Sequence, residues 1–398
     1  MNITLKDGID WVGYIDWTVR DFHGYKTESG STYNAYLIRD EKTAVIDAVK
    51  APYVETYLKH IAALTDFGKI DYIVCNHAEP DHSGGLPGFM AACPQAELVC
   101  NAKCKTTLEK YYNTAGWKWH VVADGDSLSL GKRSLTFIDT PMVHWPESMF
   151  TYVPEEKLLF SMDAFGQHYA SAFRFDDEEP LDVILQEAKA YYANIVMLYG
   201  RPIAQTMERA AALDIEMIAP SHGVIWRSHI KEVFEAYQKW VVCTPRPKVV
   251  IVYATMWKAT EQMAHAILEG AQEHNVEAQL FNIESTHMTR IATEVLDCAA
   301  IAIGSPTLNN GIMPGMAGVL CYLKGLRPTH KQGFAFGSYG WSKRGGPTEV
   351  GAAIEEMKIG IMRDPIRAQY VPTPEILEEC REAGRALSRH AEQFTVTD

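Results

Sequence analysis

The chain has 398 residues, 47% hydrophobic and 22% charged, so it is long enough for two or three domains and too apolar for wholesale disorder. Its formal net charge of −13 excludes a general binder of nucleic-acid phosphates, which needs a basic excess to displace counterions. No apolar run approaches a membrane span, no secretory leader is evident, and the eight cysteines lack disulfide-scaffold density, so the expectation is a cytoplasmic protein with reduced core thiols and no membrane contact.

In chain order, strands are predicted at 32–40 and 43–49, a helix at 56–67 and a buried strand at 71–77. A helix at 84–93 follows, then strands at 127–130, 134–140, 149–153 and 157–163, and helices at 181–199, 203–213 and 228–240. Strands dominate this part, which suits a sheet-on-sheet core flanked by helices. Cys243-Thr-Pro-Arg-Pro-Lys248 marks a seam, because proline breaks helices and ladders alike. The expected domains are 1–245 and 246–398. Beyond the seam the rhythm is strict: strands at 248–254, 277–283, 299–304, 333–338 and 367–371 alternate with helices at 260–273, 287–297, 315–325, 348–358 and 374–392. That alternation predicts a doubly wound parallel sheet of five strands, with ligands at the carboxyl ends of the strands.

Residues 77–82 read His-Ala-Glu-Pro-Asp-His directly after a buried strand. Four potential metal ligands, His77, Glu79, Asp81 and His82, thus leave one strand end where the chain must turn. Pro80 and Gly84-Gly85 supply the turn, and Ser83 is placed to cap the next helix. His144, Asp163 and His222 follow other strand ends, where ligands from separate strands can converge on one edge of a sandwich.

This pattern resembles the metallo-β-lactamase superfamily. The variant with Glu79 in second place, together with DWTVRDFHGY, HWPESMFTYVPEE, DAFGQH and APSHGVIWR, resembles the flavodiiron proteins (A-type flavoproteins) along nearly the whole chain. A carboxylate where zinc hydrolases carry histidine makes the donor set harder and favours iron. The resemblance implies an N-terminal αββα sandwich with two irons. His77, Glu79 and His144 would hold the iron nearer the flavin, Asp81, His82 and His222 the other, and Asp163 would bridge. It also implies that His23, Tyr25, His168 and Tyr192 lie around the pocket, where they could donate protons or serve structurally.

For the C-terminal domain the resemblance implies a flavodoxin-like fold that binds FMN. Thr255, Met256, Trp257, Lys258, Ala259 and Thr260 would form the phosphate loop, Lys258 either holding the phosphate or standing in solvent. Ser305, Pro306, Thr307, Asn309 and Gly311 would form a second loop, and Ser338, Tyr339, Gly340 and Trp341 a third, with aromatic rings beside the isoalloxazine. The activity implied is reduction of dioxygen to water or of nitric oxide to nitrous oxide, with electrons from an external donor. No Cys-x-x-Cys supports a fused rubredoxin, so a separate rubredoxin or a reduced deazaflavin is the expected donor. The assembly implied is a head-to-tail homodimer or a dimer of dimers. Two other classes compete: a zinc hydrolase with an accessory flavodoxin domain, and an electron carrier whose N-terminal domain only docks a partner.

Overall fold

The computed structural model of the protein describes residues 3–395. Period-two alternation in the early strands decides how the first sheet is covered. That sheet has seven strands in the order Ile3–Lys6, Ile9–Trp11, Tyr36–Arg39, Thr43–Ile46, Ile70–Val74, Glu97–Asn101 and Lys118–Val122. Tyr36 and Ile38, Ala44 and Ile46, and Tyr72 and Val74 face a core shared with a second sheet. Leu37, Val45 and Ile73 face the other way, into a core with the helices Val54–Ala62, Leu86–Ala92 and Ala102–Tyr111. The second sheet runs Ser127–Ser129, Ser134–Asp139, Met149–Val153, Leu158–Met162 and Met217–Pro220. Its Phe137, Val153, Leu158, Phe160 and Met217 complete the inter-sheet core.

Two parallel pairings position the site. Leu158–Met162 pairs with Met217–Pro220 with Met162 opposite Pro220, so the chain leaves both strands at one edge and Asp163 and His222 follow there. Thr43–Ile46 pairs with Ile70–Val74 with Ile46 opposite Val74, which brings Asp47 beside Asn76. The buried Asp47 carboxylate accepts from Asn76 N at 2.8 Å and Nδ2 at 2.9 Å, fixing the strand end from which His77 departs.

The helix expected over 181–199 is not a single α-helix. Leu181–Tyr191 is α-helical, Tyr192–Val196 forms a π-helical turn, Met197–Tyr199 a 3-10 turn, and Gly200–Ala211 resumes the α-helix. The wider turn changes which way each following side chain points. The chain also divides into two compact units here: the first runs to Tyr191 and includes Arg201–Tyr237, and the second takes Tyr192–Gly200 and the chain from Gln238. Asn194 ties the short segment to the second unit, donating to Thr293 Oγ1 at 3.2 Å and accepting from Tyr322 Oη at 2.8 Å. The division falls ahead of the seam expected at 245/246, with Trp240 packed on the Tyr192 ring.

The second unit holds a parallel sheet in the order Glu277–Asn282, Arg246–Tyr253, Cys298–Gly304, Gln332–Tyr339 and an edge. A single fifth strand was expected at that edge, and two pieces occupy it. Gly360–Ile361 lies along Gln332–Gly333, and Ile366–Gln369 along Phe336–Tyr339. Pro365, which has no N–H for the ladder, separates them. The helices are Ala259–Ala271, Met288–Val295, Pro314–Leu326, Pro347–Glu356 and Pro374–Glu392. Three begin with proline, whose missing N–H costs nothing in a first helical turn. No helix among the described residues is long and apolar enough to cross a membrane.

Candidate functional site

Just beyond Ile70–Val74, Pro80 opens a single helical turn, Pro80–Ser83, with Glu79 at its N-cap. Glu79 therefore precedes the turn, whereas Asp81 and His82 lie inside it, and the loop serves two separate groups of donors. Ser83 does not cap the next helix as expected. Its Oγ donates to Ala78 O at 2.7 Å and closes the ligand turn, while Leu86–Ala92 starts from Gly85 without a side-chain cap.

All seven expected ligands converge, at the ends of Ile70–Val74, Leu158–Met162 and Met217–Pro220 and in the loop after Ser134–Asp139. His77, Glu79, His144 and Asp163 form one group; Asp81, His82 and His222 form the other; in each, the donor atoms lie within 4.8 Å of one another. Glu79 Oε2 is 3.2 Å from His77 Nε2 and 3.1 Å from His144 Nε2. Asp81 lies 3.2 Å from His222 Nε2 and 3.5 Å from His82 Nε2. Asp163 serves both groups. Its Oδ2 is 3.4 Å from His77 Nε2 and 3.2 Å from His144 Nε2, and its Oδ1 is 3.0 Å from His82 Nε2 and 3.5 Å from His222 Nε2.

These contacts lack hydrogen-bond geometry where it matters. Both Asp163 oxygens, Asp81 Oδ1 and His82 Nε2 are buried without a hydrogen-bond partner among the described residues. Buried polar atoms are almost always paired, so convergent unpaired donors fit cations lodged among them. The charges agree. Burial opposes protonation of His77, His82 and His144, yet neighbouring carboxylates outweigh it and draw all three above the ordinary histidine range. Divalent cations can take the place of those protons.

The outer nitrogens are anchored too. His77 Nδ1 donates to Glu147 Oε1 at 2.9 Å, and His222 Nδ1 donates to Thr32 O at 2.6 Å. Each bond leaves Nε2 as the lone pair facing the cluster. Of the four residues expected around the pocket, His23 reaches Glu79 Oε1 at 3.1 Å, and Tyr25 Oη lies 2.8 Å from His168 Nε2. The His168 ring is 5.0 Å from that of His222. Burial, reinforced by His222, holds His168 well below the ordinary histidine range, so it is neutral. Tyr192 falls in the second unit, and the ring of its neighbour Tyr191 lies 4.9 Å from that of His168 and 5.9 Å from that of His222. Burial, with the Asp163 charge, keeps the Tyr191 hydroxyl protonated far above neutral pH.

In the second unit a cavity of about 610 Å³ opens at the carboxyl ends of the strands. It is lined by Met256, Trp257, Ala259, Pro306, Thr307, Asn309, Ser338, Tyr339, Gly340 and Trp341 from the expected loops, and also by Leu308, Asn310, Ser342 and Tyr370. Its size falls within the range of small-molecule sites. Trp257 and Trp341 are 90% and 91% exposed, so two indoles stand in solvent where a planar ligand could stack on them. Thr255 Oγ1 and Thr307 Oγ1 are buried without partners among the described residues, which fits a ligand rich in acceptor oxygens. Gly345 and Gly346, at φ 77° and 45°, let the third loop close on the second: a Cβ on Gly346 would lie 2.5 Å from Thr307 Oγ1.

The remaining expected flavin residues stand beside the cavity. Ser305 Oγ donates to Pro306 O at 2.9 Å and accepts from Met313 N at 3.1 Å, Gly311 closes a turn with Leu308, and Thr260 Oγ1 meets Ser338 Oγ at 3.1 Å. Lys258 has φ 65°, a conformation that suits glycine, and it lines a different hollow with Glu261, His265 and Arg381.

A family model described as ODP family beta lactamase matches residues 32–223, and a flavodoxin model matches 251–384. A nitric oxide reductase of Moorella thermoacetica is 43% identical over 97% of this chain and 98% of its own length. The crystal structure of the flavodiiron protein from Giardia intestinalis superposes with a TM-score of 0.95 at 38% identity, covering 99% of this chain and 97% of that one. The chain belongs to the flavodiiron protein family. The rubredoxin oxygen:oxidoreductase of Desulfovibrio gigas is also similar, with a TM-score of 0.96, 37% identity and full coverage of both chains.

Sequence reasoning about this flavodiiron protein missed Glu147, Tyr191 and Tyr370. Tyr191 carried a signal: Ile184, Ala188 and Tyr191 are buried at i, i+4 and i+7 of one helix face. Tyr370 directly follows the last strand, at the carboxyl edge where ligands of such sheets bind. Glu147 carried none, because its partner His77 is 70 residues away.

Proposed function

We propose that this flavodiiron oxidoreductase reduces dioxygen to water or nitric oxide to nitrous oxide at a non-haem diiron centre, with electrons passed through FMN from an external donor. The observation that carries the reading is Asp163, whose two unpaired oxygens face two separate donor groups in a chain that also holds a flavin-sized cavity. His77, Glu79 and His144 with Asp163 Oδ2 would hold one iron, and Asp81, His82 and His222 with Asp163 Oδ1 the other. A carboxylate can span two ions about 3.5–4 Å apart. When bound, the irons supply electrons and open coordination positions, and FMN supplies them with electrons.

The protein supplies the geometry and holds the protons. Glu147 and Thr32 O orient the imidazoles of His77 and His222, and His23 steadies the outer oxygen of Glu79. Tyr191 keeps a protonated hydroxyl, with its ring beside those of His168 and His222, and Tyr25 and His168 form a second polar pair. Thr255 and Thr307 would donate to the flavin's polar groups, and Trp257 and Trp341 would flank its ring. Thr255→Val is expected to weaken FMN binding roughly tenfold, the value of one hydrogen bond to a charged group. Ultrafiltration with flavin fluorescence reads this, and unchanged affinity would remove Thr255 from the phosphate site.

The proposal includes domains at 1–245 and 246–398, a cytoplasmic location, a separate rubredoxin or reduced deazaflavin as donor, and a head-to-tail homodimer or dimer of dimers. Seven of the eight free cysteines are buried, as suits a reducing compartment. A competent isolated monomer would contradict the dimer. The deciding experiment is anaerobic purification, assay of iron, zinc and FMN, and comparison of dioxygen and nitric oxide consumption with a reduced rubredoxin. Two irons and one FMN per chain with gas consumption are expected. Two zincs with ester hydrolysis and no flavin-coupled consumption would overturn the reading.

A further inference from the structure

The two donor groups are alike in composition but not in what stands behind them. We infer that Glu147 makes the His77–Glu79–His144 group the tighter of the two metal positions, so that the protein loads its two ions in order, that group first. This rests on the two-ion reading above and deepens it.

Each group has one carboxylate of its own, Glu79 or Asp81, and both share Asp163. Formal donor charge therefore does not separate them. The backing of the imidazoles does. Glu147 is 2% exposed, and Oε1 accepts from both His77 Nδ1 at 2.9 Å and Ala78 N at 3.2 Å. Its backbone is pinned as well, since Asn101 Nδ2 donates to Glu147 O at 2.9 Å. An anionic acceptor on Nδ1–H pushes electron density toward Nε2 and makes the imidazole a stronger metal donor.

His222 receives no such help. Its Nδ1–H goes to Thr32 O, a neutral acceptor, and Ser31 Oγ donates to that same carbonyl at 3.3 Å. The hydroxyl of Ser31 has one proton, so while donating to Thr32 O it accepts from His168 Nδ1–H at 2.8 Å, and His168 Nε2 then accepts from Tyr25 Oη at 2.8 Å. A carbonyl shared between two donors polarises each less than an unshared one would. In the same group, His82 Nδ1 has no hydrogen-bond partner among the described residues. Asp47, another buried carboxylate, has its oxygens engaged by Asn76 and acts through space on both His77 and His82.

The test is anaerobic titration of the metal-free, FMN-loaded full chain with ferrous iron against a competing chelator, with Mössbauer spectra of iron-57 at one and two equivalents. Wild-type protein should take two equivalents in two steps and show a single quadrupole doublet at one equivalent. In Glu147→Gln an amide oxygen can still accept from His77 but the charge is gone. A purely structural role predicts no change; the inference predicts a first step weakened about 10–100-fold, with the second step unmoved. His222→Asn assigns the steps independently and should keep the tight first step. Equal steps in wild type, an unaltered first step in Glu147→Gln, or loss of the tight step in His222→Asn would each overturn the inference alone. Uptake of fewer than two equivalents by the wild type would remove the two-ion reading, and this inference with it.

Discussion

Asp163→Asn is expected to strip iron from both positions while leaving FMN in place. Asp163 contributes one oxygen to each donor group, and the substitution replaces one of those oxygens with an amide nitrogen that cannot ligate, while removing a negative charge. Loss of an outer acceptor typically costs 10–100-fold in metal affinity, and loss of a shared ligand should cost at least ~100-fold. Gas consumption should fall with it. The residues that line the flavin cavity all belong to the second unit, so flavin content should match wild type. An iron assay and the flavin absorbance on one sample decide the matter. Full iron occupancy in the variant would show that Asp163 does not bridge.

Lys248→Met should destabilise the second unit by about 3–5 kcal/mol, toward the lower end of that range. Lys248 is 1% exposed near the start of the interior strand Arg246–Tyr253 and donates to Glu294 Oε2 at 2.9 Å and to Asp297. Removing the cation leaves two buried carboxylates facing each other. Arg290 and Arg246 reach their other oxygens at 3.0 and 3.4 Å, which limits the loss. Burial alone would lower the Lys248 pKa, but Asp297 and Glu294 outweigh it and raise it. The folded state thus holds this proton more tightly, and the contribution is intact below the unfolded value of about 10.4 and lost as pH rises beyond it. Urea unfolding followed by far-UV circular dichroism reads the loss. Excess FMN should restore part of it, about 2.7 kcal/mol at a hundred times its Kd. A loss below about 1 kcal/mol would show that the arginines suffice.

The convergence of the seven candidate donors was legible in the sequence because they are ionisable residues at strand ends, where the chain must leave the sheet. His77, Glu79, Asp81 and His82 lie within one turn, and Asp163 and His222 follow strands whose apolar runs are plain. The loops that line the cavity were legible for the same reason: each follows a strand of a parallel sheet. The parts that were not legible depend on packing between distant segments. Nothing near His77 names Glu147, and nothing near His222 names Thr32, 190 residues away. The end of the α-helix at Tyr191 and the π-turn after it are likewise invisible in the sequence, and they set the direction in which the adjacent tyrosines point. Lys258 reads in the sequence as a phosphate ligand or a solvated cation, and nothing in the sequence foretells its left-handed backbone or the separate hollow it lines.

By itself the sequence carried a sheet-on-sheet core, a doubly wound parallel sheet and seven candidate donors at strand ends through local periodicity and residue chemistry, and its resemblance to the flavodiiron proteins added the two named folds and the candidate flavin loops. Only the tertiary structure decided which atoms of those donors face each other. It showed that one aspartate has an oxygen in each group and that the two groups are backed by unlike acceptors. The physical reason is that hydrogen-bond partners across a sandwich are set by sheet register and side-chain packing, which no stretch of neighbouring residues encodes.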